Sequence, residues 1–330
     1  MKSIPFKKSF EPVSFFLRWE WILVILIILV SILNTFLSPY FLNISNLYDM
    51  TFNFLERGFI TLIMAFVIIS GNMDFSVAST LALSSCIMGI LYHEGMNIWM
   101  AVLLALVFGA GAGFFNGTII TRLKIPAFAA TLGTYAFYRG VAWVLLENNA
   151  VTNFPAQFTA LGQGDLPGTE FPIPLFVYIL LLIPAAIILH RTTFGRYTYA
   201  IGGNKEVSRF SGIQTDRIVR IIFTLSGLVS ALAGVFMAAR YGSVRADIAP
   251  DATLDVVTIV VLGGVSIAGG TGTISGVVLS LFLLGIVRYG MNLINVPPQE
   301  QIVITGLLLI FSVFIPQVVN RFSLGKEAKN

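Results

Sequence analysis

The stretch Trp21–Leu37, WILVILIILVSILNTFL, contains no charged residue. A helix needs about 20 mostly apolar residues to cross the ~30 Å hydrocarbon core of a bilayer. Backbone N–H and C=O groups find no water there, so a helix is the form expected for such a run. We therefore interpret this stretch as a membrane-spanning helix.

Further apolar runs of this kind follow along the whole chain. The predicted spans are Trp21–Leu37, Gly58–Ile69, Ser76–Tyr92, Ile98–Ile120, Ala127–Leu146, Leu175–His190, Ile218–Ala239, Leu254–Val265, Ile274–Met291 and Ile302–Val319. The sequence thus predicts an all-α fold, a polytopic membrane helical bundle. It has about ten transmembrane helices, some short or broken, in a single domain over residues 1–330.

The composition agrees with a lipid-facing surface. Hydrophobic residues make up 56% of the chain and charged residues 11%, whereas soluble domains carry about 25% charged residues. There is one cysteine, Cys86, and there are two histidines, His93 and His190. A disulfide framework and a histidine-rich metal site are therefore excluded, and we predict no catalytic residue and no bound metal.

The basic residues indicate the orientation. With the N-terminus inside, 15 of the 20 Lys and Arg fall in cytoplasmic segments, whereas the outer segment Glu147–Pro174 has none. These 15 are Lys2, Lys7, Lys8, Arg18, Arg122, Lys124, Arg191, Arg196, Lys205, Arg209, Arg217, Arg220, Arg321, Lys326 and Lys329. Cytoplasmic loops carry an excess of Lys and Arg, so we expect both termini to be cytoplasmic.

Three segments interrupt the apolar pattern: Ser70–Ser76, Gly263–Gly276 and the polar, basic connection Arg191–Arg220. In the last, we expect Gly202-Gly203-Asn204 to turn the chain and cap a short helix, Lys205–Ser211, which Gly212 ends. The connection is either a solvated loop or a docking element for a cytoplasmic partner. Four aromatic residues favour docking: Phe194, Tyr197, Tyr199 and Phe210.

These interruptions resemble motifs of the permease subunits of bacterial ABC importers for monosaccharides, the ribose, xylose and arabinose type. The similarity covers nearly the whole chain and rests on three sequence motifs. The first is Thr192 or Thr193 with Gly195-Arg196, then Ala200-Ile201-Gly202 with Asn204, then Ser211-Gly212-Ile213. The second, around Ser70–Ala78, matches strictly only at Asp74, Ser76, Val77 and one glycine; the third is Val261–Ser266 with Gly269–Gly276.

The resemblance implies a permease domain that forms the translocation pathway and carries no ATPase site of its own. It implies no cofactor bound by this chain, with ATP used by a cytoplasmic ATPase subunit. Further implied partners are a second permease copy or a paralogue, an extracytoplasmic sugar-binding protein and the bilayer of the bacterial inner membrane; nucleic acid is not among them. Within residues 191–220, the implied ATPase-coupling residues are Gly195, Arg196, Gly202, Gly203, Asn204, Glu206, Arg209, Ser211 and Gly212.

Several details look most similar to rhamnose-type permeases. They are Asp49–Phe54, the variant Asp74 motif, Arg209–Ile213 and Val256–Gly264. Autoinducer-2 permeases share part of this pattern. Rhamnose is therefore the expected sugar, with autoinducer-2 or another pentose or hexose as the alternative.

Charged residues at membrane depth are candidates for the pathway, because such charges are costly and usually functional. Asp74, beside Asn72 and Ser76, either contacts substrate or caps a following helix, Phe75–Ile90; we favour the cap. Arg139 and Arg288 are the other pathway candidates, although structural pairing is an equal alternative. We expect Glu56-Arg57 to snorkel to the outer interface.

The glycine cluster lacks the Lys-Ser/Thr of a phosphate-binding loop. We therefore interpret Gly263, Gly264, Gly269, Gly270, Gly272 and Gly276 as packing glycines. Small residues four apart, here also Gly109, Gly113 and Gly117, let membrane helices approach closely.

Two other classes of protein remain as alternatives. An ion-coupled secondary transporter is expected to have inverted repeats and an ion site at the midplane, and the sequence shows no convincing repeat. A membrane enzyme needs a cluster of catalytic groups, which two distant histidines and one buried cysteine do not provide.

Overall fold

The computed structural model describes residues 19–52 and 54–327, and the regular elements of this part are helices. They are α1 (Trp19–Leu37), α2 (Ile44–Phe52), α3 (Leu55–Ile69), α4 (Val77–His93), α5 (Ile98–Arg122), α6 (Ala127–Leu146), α7 (Ala156–Gln163), α8 (Ile173–Arg191), α9 (Thr193–Gly203), α10 (Lys205–Phe210), α11 (Thr215–Tyr241), α12 (Ala252–Leu262), α13 (Ile274–Leu293) and α14 (Pro298–Glu327). Two isolated β-bridges join Val151 to Val244 and Asp165 to Pro172. The all-α prediction is confirmed.

Each predicted span corresponds to one of these helices, namely α1, α3, α4, α5, α6, α8, α11, α12, α13 and α14. Among the described residues, α1, α5, α8, α11 and α13 are long and apolar enough to cross a bilayer by themselves. The chain is a polytopic membrane bundle, as predicted. Lys2, Lys7, Lys8, Arg18 and Lys329, on which the orientation partly rests, lie outside the described residues, as does Asn53.

The central helices α3 and α12 are too short to cross a membrane alone. At 1.5 Å per residue, their 15 and 11 residues extend only about 22 and 16 Å, against a hydrocarbon core of ~30 Å. Nearly every side chain on both is buried. Two residues after the end of each lies a glycine with positive φ, Gly71 (+76°) and Gly264 (+85°), so both sequence interruptions directly follow buried half-length helices.

The long helices α5 and α11 cross at their glycines. A Cβ on Gly113 would lie 2.1 Å from the carbonyl oxygen of Phe223, and one on Gly227 would lie 2.1 Å from that of Gly109. A Cβ on Gly117 would lie 2.9 Å from the Cα of Arg220. The two backbones are therefore in direct contact, the arrangement that small-xxx-small spacing favours.

The bundle has two ends that differ in chemistry. At one, here called the glycine end, residues 70–76, 191–214 and 263–273 come together, and the Trp19 indole donates a hydrogen bond to the Leu262 carbonyl (2.7 Å). At the opposite end lie the connections 147–172, 242–251 and 294–297, held in part by the Val151–Val244 bridge.

Candidate functional site

The three interruptions of the apolar pattern meet at the glycine end in one place. The Gly270 amide donates a hydrogen bond to the Ile69 carbonyl (2.8 Å). A Cβ on Gly202 would lie 1.8 Å from that same carbonyl oxygen and 2.5 Å from the Gly270 nitrogen. A Cβ on Gly269 would lie 2.8 Å from the Cα of Gly71. We call Gly71, Gly202, Gly269 and Gly270 the glycine junction; it joins α3, α9 and the 263–273 loop through backbone atoms.

The prediction that Gly202-Gly203 turns the chain is wrong, because both residues lie in the last turn of α9. Glycine has a low helix propensity, so the sequence alone favoured a turn. Packing of Gly202 against the backbone of Ile69 and Gly270 outweighs that propensity, and two further contacts stabilise the start of the helix. The Thr192 hydroxyl accepts a hydrogen bond from the Gly195 amide (3.4 Å) at the start of the helix, and Gly195 packs where a Cβ would lie 1.9 Å from the Leu189 carbonyl oxygen.

The following short helix, α10, has the predicted cap. The Asn204 side chain accepts a hydrogen bond from the Val207 amide (3.0 Å), which satisfies one of the free N–H groups at the helix start. The helix ends at Phe210, one residue before the predicted Ser211, and Gly212 follows with φ +84°. The predicted cap and helix end thus lie within one residue of their expected positions.

The outward face of α9 and α10 is apolar and basic. The Phe210 side chain is 91% exposed and Val207 59%, and Tyr197, Arg196 and Arg209 are also exposed. We call these five residues the α9–α10 face. Because it combines large apolar side chains with positive charge outside the spanning helices, it is suited to docking a protein partner.

The inward side of α9 is tied to the glycine-rich loop. The Tyr199 hydroxyl donates a hydrogen bond to the Gly272 carbonyl (2.7 Å), and burial raises the pKa of that phenol above its ordinary value. A Cβ on Gly276 would lie 2.0 Å from the Gly263 carbonyl oxygen, so the loop closes tightly between α12 and α13. Tyr199 therefore links α9 directly to this loop.

Asp74 lies in the core beside the glycine junction, with only 2% of its surface exposed. One carboxylate oxygen accepts hydrogen bonds from the Ser76 amide (3.0 Å) and hydroxyl (2.6 Å), and the other accepts one from the Ser226 hydroxyl of α11 (2.8 Å). The Asn116 amide of α5 donates to the Ser76 hydroxyl (2.8 Å). Asp74 and Ser76 thus join the start of α4 to α11 and α5, and no local sequence pattern indicates Asn116 or Ser226 as their partners.

The predicted helix Phe75–Ile90 begins two residues later, at Val77, so Asp74 is not at its N-cap position. Its bond to the Ser76 amide instead forms a turn just before the helix, the local contact that Asp side chains favour. Asn72 has a similar role, since its amide donates to the Ser70 carbonyl (3.2 Å) and hydroxyl (3.0 Å). Both residues shape the break between α3 and α4.

Arg139, one of the two arginine candidates for the pathway, is bound to backbone. Its guanidinium donates hydrogen bonds to the carbonyls of Ala246 (2.8 Å), Ile248 (3.0 Å) and Ala78 (3.1 Å). These bonds fasten the 243–251 connection to α4 and α6. The structure therefore places Arg139 as a support for this connection.

The prediction that the Glu56 and Arg57 side chains extend to the outer membrane interface is wrong. Glu56 is 1% exposed and forms an ion pair with Arg240 (2.5 Å). Arg57 lies 3.2 Å from Asp255, which also binds Arg288. Sequence spacing cannot reveal these pairs, because their members lie on four helices that only the tertiary fold brings together.

No group of three or more His, Cys, Asp or Glu side chains suited to a metal occurs in the part of the chain that the structure describes. The main features of the described residues are the exposed apolar and basic α9–α10 face at one end, the glycine junction that connects it to the core, and a buried charged cluster at the other end.

Residues 50–313 match the model of a protein family described as branched-chain amino acid transport system / permease component. The chain is 36% identical over 296 residues to the ribose import permease protein of Bacillus subtilis (strain 168), which covers 89% of this chain and 90% of that protein. It is 38% identical over 250 residues to the L-arabinose transport system permease protein of Escherichia coli (strain K12), covering 76% of each.

A third relative is the autoinducer 2 import system permease protein of Klebsiella pneumoniae subsp. pneumoniae, 33% identical over 300 residues, which cover 89% of this chain and 90% of that protein. No solved structure matches the chain.

Proposed function

The chain belongs to the family of branched-chain amino acid transport system permease components, and from that membership we propose that it is the membrane-spanning permease subunit of an ATP-driven monosaccharide importer in a bacterial inner membrane. The relatives at 33–38% identity are named as permeases for ribose, L-arabinose and autoinducer 2. In this proposal the chain supplies the translocation pathway, and ATP is bound and hydrolysed by a partner.

The observation that carries the proposal is the α9–α10 face and its connection to the core. An exposed phenylalanine beside arginines, outside the spanning helices, fits a groove on a cytoplasmic ATPase subunit. Arg191–Arg220 is then the coupling segment of a single permease domain, and both termini are cytoplasmic.

The glycine junction gives this docking face a mechanical role. When the ATPase subunits close on ATP, they displace α9. Gly202 contacts Ile69 and Gly270 through backbone atoms, so no flexible side chain absorbs the displacement. The ends of α3 and α12 then move, and the bundle passes between its two access states. Nucleotide binding by the partner thus shifts a conformational population.

The proposed importer function implies two further partners. A second copy of the chain, or a paralogue, completes the pathway, and an external binding protein delivers the sugar to the opposite end. That end exposes an ion pair, Arg245 Nε to Asp247 Oδ1 at 2.9 Å. The Arg245 guanidinium holds the pKa of Asp247 below its ordinary value, so the carboxylate stays charged to a lower pH than an isolated Asp. Charges on a docking rim favour correct orientation of the partner.

For the substrate we propose rhamnose, on the support of the motif details at Asp49–Phe54, Asp74, Arg209–Ile213 and Val256–Gly264. Ribose, arabinose and autoinducer 2 are the alternatives, because the relatives are named as permeases for these compounds.

The test is uptake by membrane vesicles that contain the permease, its ATPase subunit and its binding protein. We expect the ATPase subunit to co-purify with the permease. We also expect unlabelled rhamnose to compete with labelled rhamnose more strongly than ribose or arabinose does. A stronger effect of another sugar would contradict the rhamnose assignment alone, and failure of the ATPase to associate would contradict the proposed function.

A further inference from the structure

A cavity of approximately 390 Å³ lies at the opposite end of the bundle, between α3, α12, α13 and the start of α14. It is built around Asp255, which is 1% exposed. Arg57 Nε lies 3.2 Å from one oxygen of Asp255, and the Arg288 guanidinium donates a hydrogen bond to the other. All three side chains line the cavity.

This cluster keeps hydrogen-bonding capacity that the protein does not use. Nε of Arg57, Nε of Arg288 and one oxygen of Asp255 are buried and have no hydrogen-bond partner among the described residues. The contact between Arg57 and Asp255 is an ion pair without hydrogen-bond geometry. Arg288 Nε is thus a buried donor without a partner, and the Arg57 and Asp255 atoms have only their mutual ion pair. Since buried polar groups are nearly always hydrogen-bonded, this cluster can bind a partner that both accepts and donates. A hydroxyl group does both.

The charges around the cavity are balanced. Arg57, Arg240 and Arg288 line it together with Asp251 and Asp255, and Arg240 is also paired with the buried Glu56. The three arginines are thus balanced by two carboxylates in the lining and by Glu56 behind Arg240. A charged ligand would leave one sign in excess in a partly buried site, so the electrostatics favour a neutral ligand.

The rest of the lining combines rings with amide groups. Phe54, Tyr241 and Tyr289 provide aromatic surface, and Asn292 and Gln301 provide amides. The volume lies within the range of small-molecule sites, about 300–1,000 Å³. Apolar surface with a few fixed polar groups is the usual composition of such sites, and it matches a molecule that has both C–H faces and hydroxyl edges.

We propose that this cavity is a binding site for a neutral, polyhydroxylated molecule of monosaccharide size, contained within one copy of the chain. The assignment of the ligand to sugars rests on the proposed function. The arginine cluster and Asp255 bind adjacent hydroxyls, and the rings contact the carbon face. The sugar thus has a site at the opposite end without a contribution from a second copy.

The experiment is cysteine labelling. The one native cysteine, Cys86, is fully buried and should not react with the reagent. Ile302→Cys places a reactive thiol at the exposed edge of the cavity without removing a polar group of the site, and Pro298→Cys is a second reporter if the first fails to assemble. Asn149→Cys, exposed in another connection at the same end, is the matched control. The rate of labelling by a small thiol reagent is measured on the full importer in vesicles. It is compared with and without rhamnose, ribose, arabinose and the anionic sugar glucuronate.

We expect the neutral sugars to slow labelling at residue 302 or 298 at least severalfold and saturably, glucuronate to act weakly, and residue 149 to be unaffected. Unchanged labelling in vesicles that show ATP-driven sugar uptake would overturn the cavity assignment and leave the proposed function intact. Equal slowing at residue 149 would overturn it as well. Protection in vesicles without ATP-driven uptake would support the cavity and count against the proposed function.

Discussion

Gly202 of α9 packs against the end of α3 so closely that a Cβ on it would lie 1.8 Å from the carbonyl oxygen of Ile69. A Cβ on the neighbouring Gly203 would have no neighbouring atom within 4 Å. These adjacent glycines occupy one helix turn and have the same chemistry, but only Gly202 belongs to the glycine junction. They offer a matched pair of substitutions that separates packing at the junction from helix propensity.

Gly202→Ala should uncouple transport from ATP hydrolysis, because the added methyl group forces α9 away from α3 and the 263–273 loop. Overpacking of this kind costs roughly 1–3 kcal/mol, and here backbone atoms have to move. Sugar uptake per ATP hydrolysed, measured in vesicles, is expected to fall for this variant. Gly203→Ala should retain the wild-type ratio. Equal ratios in the two variants would show that the junction does not transmit motion.

Phe210→Ala should weaken binding of the ATPase subunit, since this ring is 91% exposed on the α9–α10 face. Aromatic side chains at the centre of an interface often contribute more than about 1 kcal/mol, so we expect at least roughly fivefold weaker association. Arg209→Glu should act in the same direction through charge. Binding of purified ATPase to the permease in detergent measures both.

The control for the ring is Phe36→Ala, which removes an equally large side chain, 84% exposed, from α1. It should leave ATPase association unchanged. If Phe210→Ala and Arg209→Glu both bind the ATPase subunit like the wild type, the docking face has been misassigned.

Asp74→Ala should destabilise the bundle, whereas Asp74→Asn should largely preserve it. The carboxylate accepts three hydrogen bonds from Ser76 and Ser226, and removing it leaves buried donors without a partner, at a cost of about 1–3 kcal/mol. Asparagine keeps the oxygen that Ser76 needs, and the Ser226 hydroxyl can rotate to accept from the new amide. Thermal unfolding in detergent tests the order wild type, Asn, Ala. A role in substrate binding would instead give an Asp74→Asn variant of normal stability that has lost uptake.

Glu56→Ala should be among the most destabilising single changes at the opposite end. It leaves the charge of Arg240 without its buried partner, and breaking such a pair costs roughly 3–5 kcal/mol. Asp247→Ala also breaks a carboxylate–arginine ion pair, but both side chains of that pair are about half exposed. Solvent screens their charges, so the pair contributes little to stability. Comparable losses of thermal stability in the two variants would contradict the assignment of Glu56 to a buried pair.

The sequence was sufficient to predict the long apolar helices, because hydrophobic runs and their interruptions are local properties, but it did not predict α2, α7 and α9. The ten spans, the cap at Asn204 and the short helix α10 all follow from patterns a few residues long. The same reasoning failed at Gly202-Gly203, where low helix propensity suggested a turn. Contacts with Ile69 and Gly270 hold these residues in a helix, and neither residue is near them in the chain.

The candidate sites were harder to predict, because their members come from distant parts of the chain. Gly71, Gly202 and Gly270 each stood out as an interruption, but nothing local indicates that they touch. The pairing of Glu56 with Arg240 spans 184 positions. Arg139 and Arg288 looked alike in the sequence, yet one binds backbone carbonyls and the other lines a cavity beside Asp255. Only the packing of the helices separates their roles.

Measuring the energy source of transport distinguishes an ATP-driven importer from an ion-coupled transporter. The permease is reconstituted into liposomes with its ATPase subunit and its sugar-binding protein, and uptake of labelled rhamnose is followed while ionophores collapse all ion gradients. We expect uptake that requires both ATP and the ATPase subunit and that continues in the presence of ionophores. Uptake by the permease alone, driven by an ion gradient and abolished by ionophores, would contradict it.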